Sequence, residues 1–156
     1  MIIVRTEVEI DAPIRVCFDC ARDIGLHTRT VWKHTKESAV GGVTDGPIGL
    51  GETVTFEATH FLVRQRLTSQ ITEYREPCWF VDEMRRGAFK SLRHEHEFQE
   101  AKERTLMTDT LLFEAPFGVI GTVTERLVLG RYMRKFLEHR NLELKRVIEH
   151  GEYRVV

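Results

Sequence analysis

The stretch that decides the fold is TVTERLVLGRYMRKFLEHRNLELKRVI, Thr122 to Ile148. It holds no proline and one glycine, Gly130, and its apolar residues recur at helical spacing. Leu129, Gly130, Met133, Phe136, Leu137, Leu144, Val147 and Ile148 share one face, opposite Arg131, Lys135, Glu138, His139, Lys145 and Arg146. Residues three and four apart lie on one side of an α-helix, so the spacing predicts an amphipathic helix about 40 Å long. Leu142 is an exception on the polar side. Arg126 and Arg140 interrupt the apolar side, and two accounts stand for them. Their stems could cover apolar surface while the heads reach solvent, or one could point inward and pair with a carboxylate.

Upstream of that helix, the pattern changes from a period of 3.6 to a period of two. Ile2, Val4, Thr6, Val8 and Ile10 alternate with Arg5, Glu7, Glu9 and Asp11, which predicts a half-buried strand. Ala12-Pro13 ends it, and proline suits the first turn of a helix because its missing N–H has no partner there. Pro13 to Arg22 predicts one short helix, and Asp23 is placed to cap a second that runs from Ile24 to about Trp32. The segment Gly41 to Gly51 carries five glycines and a proline and reads as a loop. A phosphate cradle would need a helix directly after it, whereas alternating Val54, Phe56 and Ala58 predict a strand.

Further strands are predicted at Arg66–Tyr74, Trp79–Arg85, Leu92–Gln99 and Thr105–Glu114, with turns at Glu76-Pro77, Arg86–Lys90 and Lys102–Arg104. Consecutive strands with short connections pair antiparallel. The reading is therefore six strands, two short helices after the first of them, and a long helix that Thr122 or Thr124 could cap after the Ala115–Gly121 lead-in. Glu152 to Val156 reads as a frayed end. With no linker or repeat, residues 1–156 are expected to form one domain.

Composition narrows the function classes. The 23 basic and 24 acidic residues leave a net charge of −1, which argues against a broad nucleic-acid or anionic-membrane surface. No run approaches the ~20 apolar residues of an integral membrane segment. Met1 to Arg5 lacks the basic lead and cleavage site of a signal peptide. Cys17, Cys20 and Cys78 form an odd set without framework spacing, which fits reduced thiols in a cytoplasmic protein. Cys17 and Cys20 are expected to be small buried helix residues rather than a redox pair.

The order of elements resembles the helix-grip fold of the START-related (SRPBCC) superfamily, the polyketide cyclase/dehydrase and lipid-transport type. Ile10-Asp11-Ala12-Pro13-Ile14-Arg15-Val16-Cys17-Phe18 is similar to the family's opening. Trp79–Glu83, His94–Phe98, Thr105–Asp109 and Ala115–Gly118 resemble bacterial stand-alone members. The resemblance implies an α+β fold in which a curved six-stranded antiparallel sheet surrounds the long C-terminal helix. It also implies a cavity between sheet and helix that takes an apolar or amphipathic small molecule. No Cys/His ligand set of the oxygenase branch is present.

Several residues could carry chemistry in such a cavity. His94 and His96 project from one face of a strand, because strand side chains alternate. They could form a metal half-site, but no third ligand, such as His60 or Asp109, is fixed by spacing, so no metal or other cofactor is expected. Asp109, on the following strand, could pair with them. The pair could orient a ligand's polar end, serve as a general acid and base, or simply be a buried structural hydrogen bond. Phe56, Met84, Phe98 and Met107 are expected lining residues, with Phe113, Met133, Phe136 and Arg140.

The leading expectation is binding or transport of a lipid- or polyketide-like molecule. The alternative is a cyclase or dehydratase that uses His94, His96 and Asp109 as proton-transfer candidates. A third class is a protein-interaction module. A homodimer stays open.

Overall fold

The computed structural model describes residues 1–115 and 122–153, with the backbone alone at Thr122, Thr124 and Glu125. The elements are β1 (Ile2–Ile10), α1 (Ile14–Ala21), α2 (Ile24–Thr30), a 3-10 turn (Lys33–Thr35), β2 (Ser38–Gly42), β3 (Thr53–His60), β4 (Val63–Arg75), β5 (Trp79–Arg86), β6 (Ser91–Ala101), β7 (Arg104–Glu114) and α3 (Thr122–Glu149). The strands form one antiparallel sheet in the order β1-β7-β6-β5-β4-β3-β2. This is the α+β helix-grip arrangement expected from the sequence.

The sheet has seven strands rather than six, and the added one is β2. Its last residues, Gly41 and Gly42, belong to the glycine-rich stretch read as loop. β2 carries little intrinsic strand preference and exists because β3 supplies its hydrogen-bonding edge. Glycine is required at position 42. Its φ is +66°, and a Cβ there would stand 2.1 Å from the Thr53 carbonyl oxygen.

The short helices start as their residues dictate. Pro13 precedes α1, and Asp23 caps α2 by accepting a bond from the Leu26 amide at 3.0 Å. α1 drives Phe18 into the sheet, where the rings of Tyr74, Phe80 and Phe98 meet it edge-on at 5.4 to 5.6 Å. Cys17 and Cys20 are free, buried members of this core. Burial pushes the Cys20 thiol up to about 12, so it stays protonated and unreactive.

α3 lies along β1. Asn141 donates to the Thr6 hydroxyl at 3.1 Å, and Arg134 and Lys145 donate to the carbonyls of Arg5 and Glu9. Leu144, Val147 and Ile148 join the core around Phe18. Leu137 joins a second cluster with Val4, Leu92, Leu111 and Phe113. Leu142 is 60% exposed, as its place on the polar side requires.

The chain does not fray directly after α3. Glu152 pairs with Arg146 at 2.9 Å, and Tyr153 packs against the core. Both have partners that a reading of local polarity cannot see. The lead-in at 116–121, the capping roles of Thr122 and Thr124, and residues 154–156 lie outside the described part.

Candidate functional site

Between the inner face of the sheet and α3 lies a cavity of about 270 Å³. Period-two alternation sends Val54, Phe56 and Ala58 of β3 and Leu67, Ser69 and Ile71 of β4 into it. β5 contributes Phe80 and Asp82, β6 contributes Leu92, His94 and His96, and β7 contributes Leu111. α3 closes the other side with Leu129, Tyr132, Met133, Phe136, Leu137 and Arg140. The walls are mostly apolar, with polar groups gathered in two places.

The deeper polar wall is a network of charges. His94 Nε2 lies 2.8 Å from Asp109 Oδ1. A carboxylate can only accept, so this nitrogen carries the proton. His96 Nε2 lies 2.9 Å from Asp82 Oδ2. His96 Nδ1 is 2.9 Å from Asp109 Oδ1 but poorly aligned, an ion-pair approach rather than a hydrogen bond. Asn141 donates to the other Asp109 oxygen at 2.7 Å. Phe80 stacks on the His96 ring at 4.1 Å, and the two imidazoles lie 3.9 Å apart.

That spacing fixes the charges. Burial disfavours the His94 cation, and neighbouring His96 adds repulsion, so the His94 pKa falls despite its bond to Asp109. Burial also opposes charge on His96, but its close contacts with Asp109 and Asp82 outweigh it and raise its pKa. Burial works against charge on Asp109 too, yet the hydrogen bond from His94 and the close approach of His96 hold it well below the ordinary carboxylate range. Asp82 is lowered in the same way, chiefly by His96. Asp82 and Asp109 are thus favoured as anions, His96 is favoured as a cation and His94 as the neutral ring.

Arg140 points inward and is 2% exposed. Its Nη2 reaches the Ala21 carbonyl at 3.4 Å and its Nη1 stands 3.7 Å from Asp109 Oδ1, while Nε and Nη1 lack a hydrogen-bond partner. Snorkelling therefore fails for Arg140: its head lies between the Ala21 carbonyl of α1 and Asp109 of β7 instead of reaching solvent. Arg126, one end of α3 away, is exposed.

The second polar group lies at the wall formed by β3, α2 and α3. His60 Nδ1 meets the Tyr132 hydroxyl at 2.7 Å. His27 lies 2.8 Å from Glu37 and stacks on Phe56 at 4.6 Å. Burial keeps the His60 pKa low, although Glu37 pulls it upward.

Of the residues singled out from sequence, Phe56, His94, His96, Met133, Phe136 and Arg140 line the cavity. Asp109 stands one layer behind, against the histidines, and is fully buried. Met84, Phe98, Met107 and Phe113 are not among the lining residues. Phe98 and Met107 face the same side of the sheet, but there α1 fills the space with Phe18. Phe113 packs against Phe89 at 5.3 Å, and Met84 lies beside the same cluster. His60, considered as a metal ligand, turns instead to Tyr132.

Sequence reasoning missed Asp82, Asn141, Tyr132, His27 and Glu37. Two of them left a signal. Asp82 alternates with Phe80 and Met84 on β5, and Asn141 follows Leu137 by four on α3, so each is a polar residue on an apolar face. His27 sits on the short helix α2 and Glu37 in the connection before β2, segments too short to leave a periodic trace.

A curved antiparallel sheet gripping one long helix around an internal apolar cavity defines a helix-grip protein of the START-related class. The chain belongs to the polyketide cyclase / dehydrase and lipid transport family, whose pattern matches residues 1–149. Solved structures share the fold. TTHA0849 from Thermus thermophilus is 17% identical, with a TM-score of 0.79 over 96% of this chain and 98% of that one. A START superfamily protein from Mycobacterium smegmatis is 14% identical, with a TM-score of 0.72 over 95% and 97%. Ginseng major latex-like protein 151 from Panax ginseng is 13% identical, with a TM-score of 0.64 over 92% and 94%. No curated protein matches the chain.

Proposed function

We propose that this chain binds a hydrophobic or amphipathic small molecule, lipid- or polyketide-like, in the cavity between sheet and α3. One observation carries the reading. The cavity is apolar over most of its wall, and at its deep end Arg140 keeps Nε and Nη1 without hydrogen-bond partners. A buried guanidinium with spare donors is suited to an oxygen-bearing ligand end. Its 270 Å³ sits near the low end of ligand pockets, which run from about 300 to 1,000 Å³. Burial of roughly 200 Å² of apolar ligand surface would contribute about 5 kcal/mol before the cost of association.

The test is a titration with 1-anilinonaphthalene-8-sulfonate, an apolar ring system that ends in an anion. One saturable site in the folded protein, weakened in Phe136→Ala and in Arg140→Met, supports the reading. No uptake, or uptake indifferent to both substitutions, contradicts it.

A second reading, a cyclase or dehydratase, has its own observation. His94 bonds to Asp109 through Nε2, which leaves Nδ1 with a free lone pair at the cavity wall. That nitrogen could accept a proton from carbon next to a carbonyl, with Asp109 as the positioning residue. Turnover of a poly-β-carbonyl substrate that disappears in His94→Gln while binding persists would favour it over a carrier.

A further inference from the structure

The two histidines divide their nitrogens between two carboxylates. His96 Nε2 and His94 Nδ1 face Asp82 Oδ2, at 2.9 and 3.8 Å. Their other nitrogens, His94 Nε2 and His96 Nδ1, face Asp109 Oδ1, at 2.8 and 2.9 Å. One ligating atom from each of Asp82, His94 and His96 lies within 4.8 Å of the other two. This is how metal-binding imidazoles are held: one nitrogen toward the ion, the other against an outer carboxylate that fixes the ring.

We propose that Asp82 Oδ2, His94 Nδ1 and His96 Nε2 bind one divalent first-row transition-metal ion, with Asp109 as the outer carboxylate, hydrogen-bonded to the His94 ring and in ion-pair range of the His96 ring. The separations suit it. Nitrogen and oxygen ligands about 2.0–2.1 Å from an ion stand roughly 3 to 3.5 Å from one another, and the 2.9 and 3.8 Å found here bracket that range. The ligating nitrogens of the two rings lie within 4.8 Å of each other, so small rotations of the rings and of Asp82, the least buried of the three, complete the convergence. Charge also suits it. Once both imidazoles are deprotonated as ligands, Asp82 and Asp109 outnumber Arg140, a negative balance that a dication offsets. The proton shared by His96 and Asp82 leaves as the ion enters.

The donor set is two imidazoles and one carboxylate, the chemistry of zinc, ferrous and cobaltous sites. All three ligands line the cavity, so the remaining coordination positions open into it. The ion would present a Lewis acid to whatever oxygen occupies that end. Asp82, opposite His94 on the neighbouring strand, is the third ligand the His-x-His pair needs. An empty metal site leaves the cavity intact and a filled one needs no organic ligand, so metal binding and apolar-ligand binding can fail independently.

The experiment is calorimetric titration of chelator-treated protein with Zn²⁺ alone, and with Co²⁺ for its visible spectrum. One equivalent is expected to bind wild type. Affinity is expected to fall by more than about a hundredfold in Asp82→Asn and in His94→Asn, beyond the loss typical of an outer-shell partner. It is expected to stay unchanged in the double variant His34→Ala, His150→Ala, which removes two exposed histidines. Absence of binding to wild type, or binding lost only in that double variant, overturns the proposal. Where a ligand variant fails to fold, X-ray absorption of zinc-loaded wild type decides. Two imidazoles plus oxygen ligands at about 2.0–2.1 Å support the site, and any other donor set refutes it.

Discussion

Arg140 Nη1 lies 3.7 Å from Asp109 Oδ1, and both side chains are sealed from solvent. An ion pair in that position is held by its surroundings. Asp109 also accepts from His94 and Asn141, so its charge is spread over several donors. Removing one member of a buried charged network leaves the others without compensation. Asp109→Asn is expected to destabilise the metal-free protein by about 3–5 kcal/mol in urea denaturation. Arg140→Met keeps much of the packing volume and is expected to cost less. Equal, small effects would mean that the network is solvated and carries little energy.

The same network sets an acid limit in metal-free protein. In the unfolded chain Asp109 takes up a proton near 3.8, while in the fold it resists to well below that value. The unfolded state therefore binds more protons as pH falls below about 4, and stability is lost in that direction. The contribution is fully present above 3.8. Denaturation midpoints of wild type are expected to fall more steeply than those of Asp109→Asn between about pH 4 and pH 2. Parallel slopes would mean that Asp109 plays no part in the acid transition.

His60 acts in a higher window with the same sign. Burial holds its folded pKa below 6.5, so below that pH the unfolded chain gains a proton the fold refuses. His60→Asn is expected to flatten the stability profile between about pH 6.5 and 5, relative to wild type. An unchanged slope would show that His60 titrates freely.

The β3–β4 hairpin turns on Phe61 and Leu62, with φ of 50° and 65°. Both values lie in the left-handed region, where a non-glycine residue costs about 1–2 kcal/mol. Leu62 is 99% exposed and gains nothing from packing. Leu62→Gly is expected to stabilise by about 0.5–1 kcal/mol, since relief of strain exceeds the extra chain entropy. Calorimetry reads this as a higher Tm. A lower Tm would mean the turn is relaxed as it stands.

Phe18 carries the core beneath α1. It is fully buried among three aromatic rings, so Phe18→Ala is expected to cost about 3–5 kcal/mol. A loss below about 1 kcal/mol would mean that α1 collapses onto the cavity.

What was legible in the sequence follows from periodicity. β1, β3 to β7 and α3 each bury one face, and alternation or helical spacing records that face directly. β2 buries little and exists through its pairing with β3, so its residues hold no such record. The His94, His96 and Asp109 association was legible because three polar residues sat on apolar faces of neighbouring strands. Asp82 left the same signal on β5. Which inward residues meet the cavity was not legible: Phe98 and Met107 face the same way as His96, and only the place where α1 lands separates core from lining. The inward course of Arg140 depends on partners from α1 and β7, the Ala21 carbonyl and Asp109, which helical spacing does not encode.

If the space between the sheet and α3 holds a small organic molecule, native mass spectrometry of protein purified without denaturant will detect it. The expected spectrum shows a bound species, one per chain, that is lost on denaturation and is apolar over most of its length. Protein that carries no such mass, and that takes up none when fatty acids or aromatic polyketides are supplied, would show that the cavity is not a binding site for molecules of this kind.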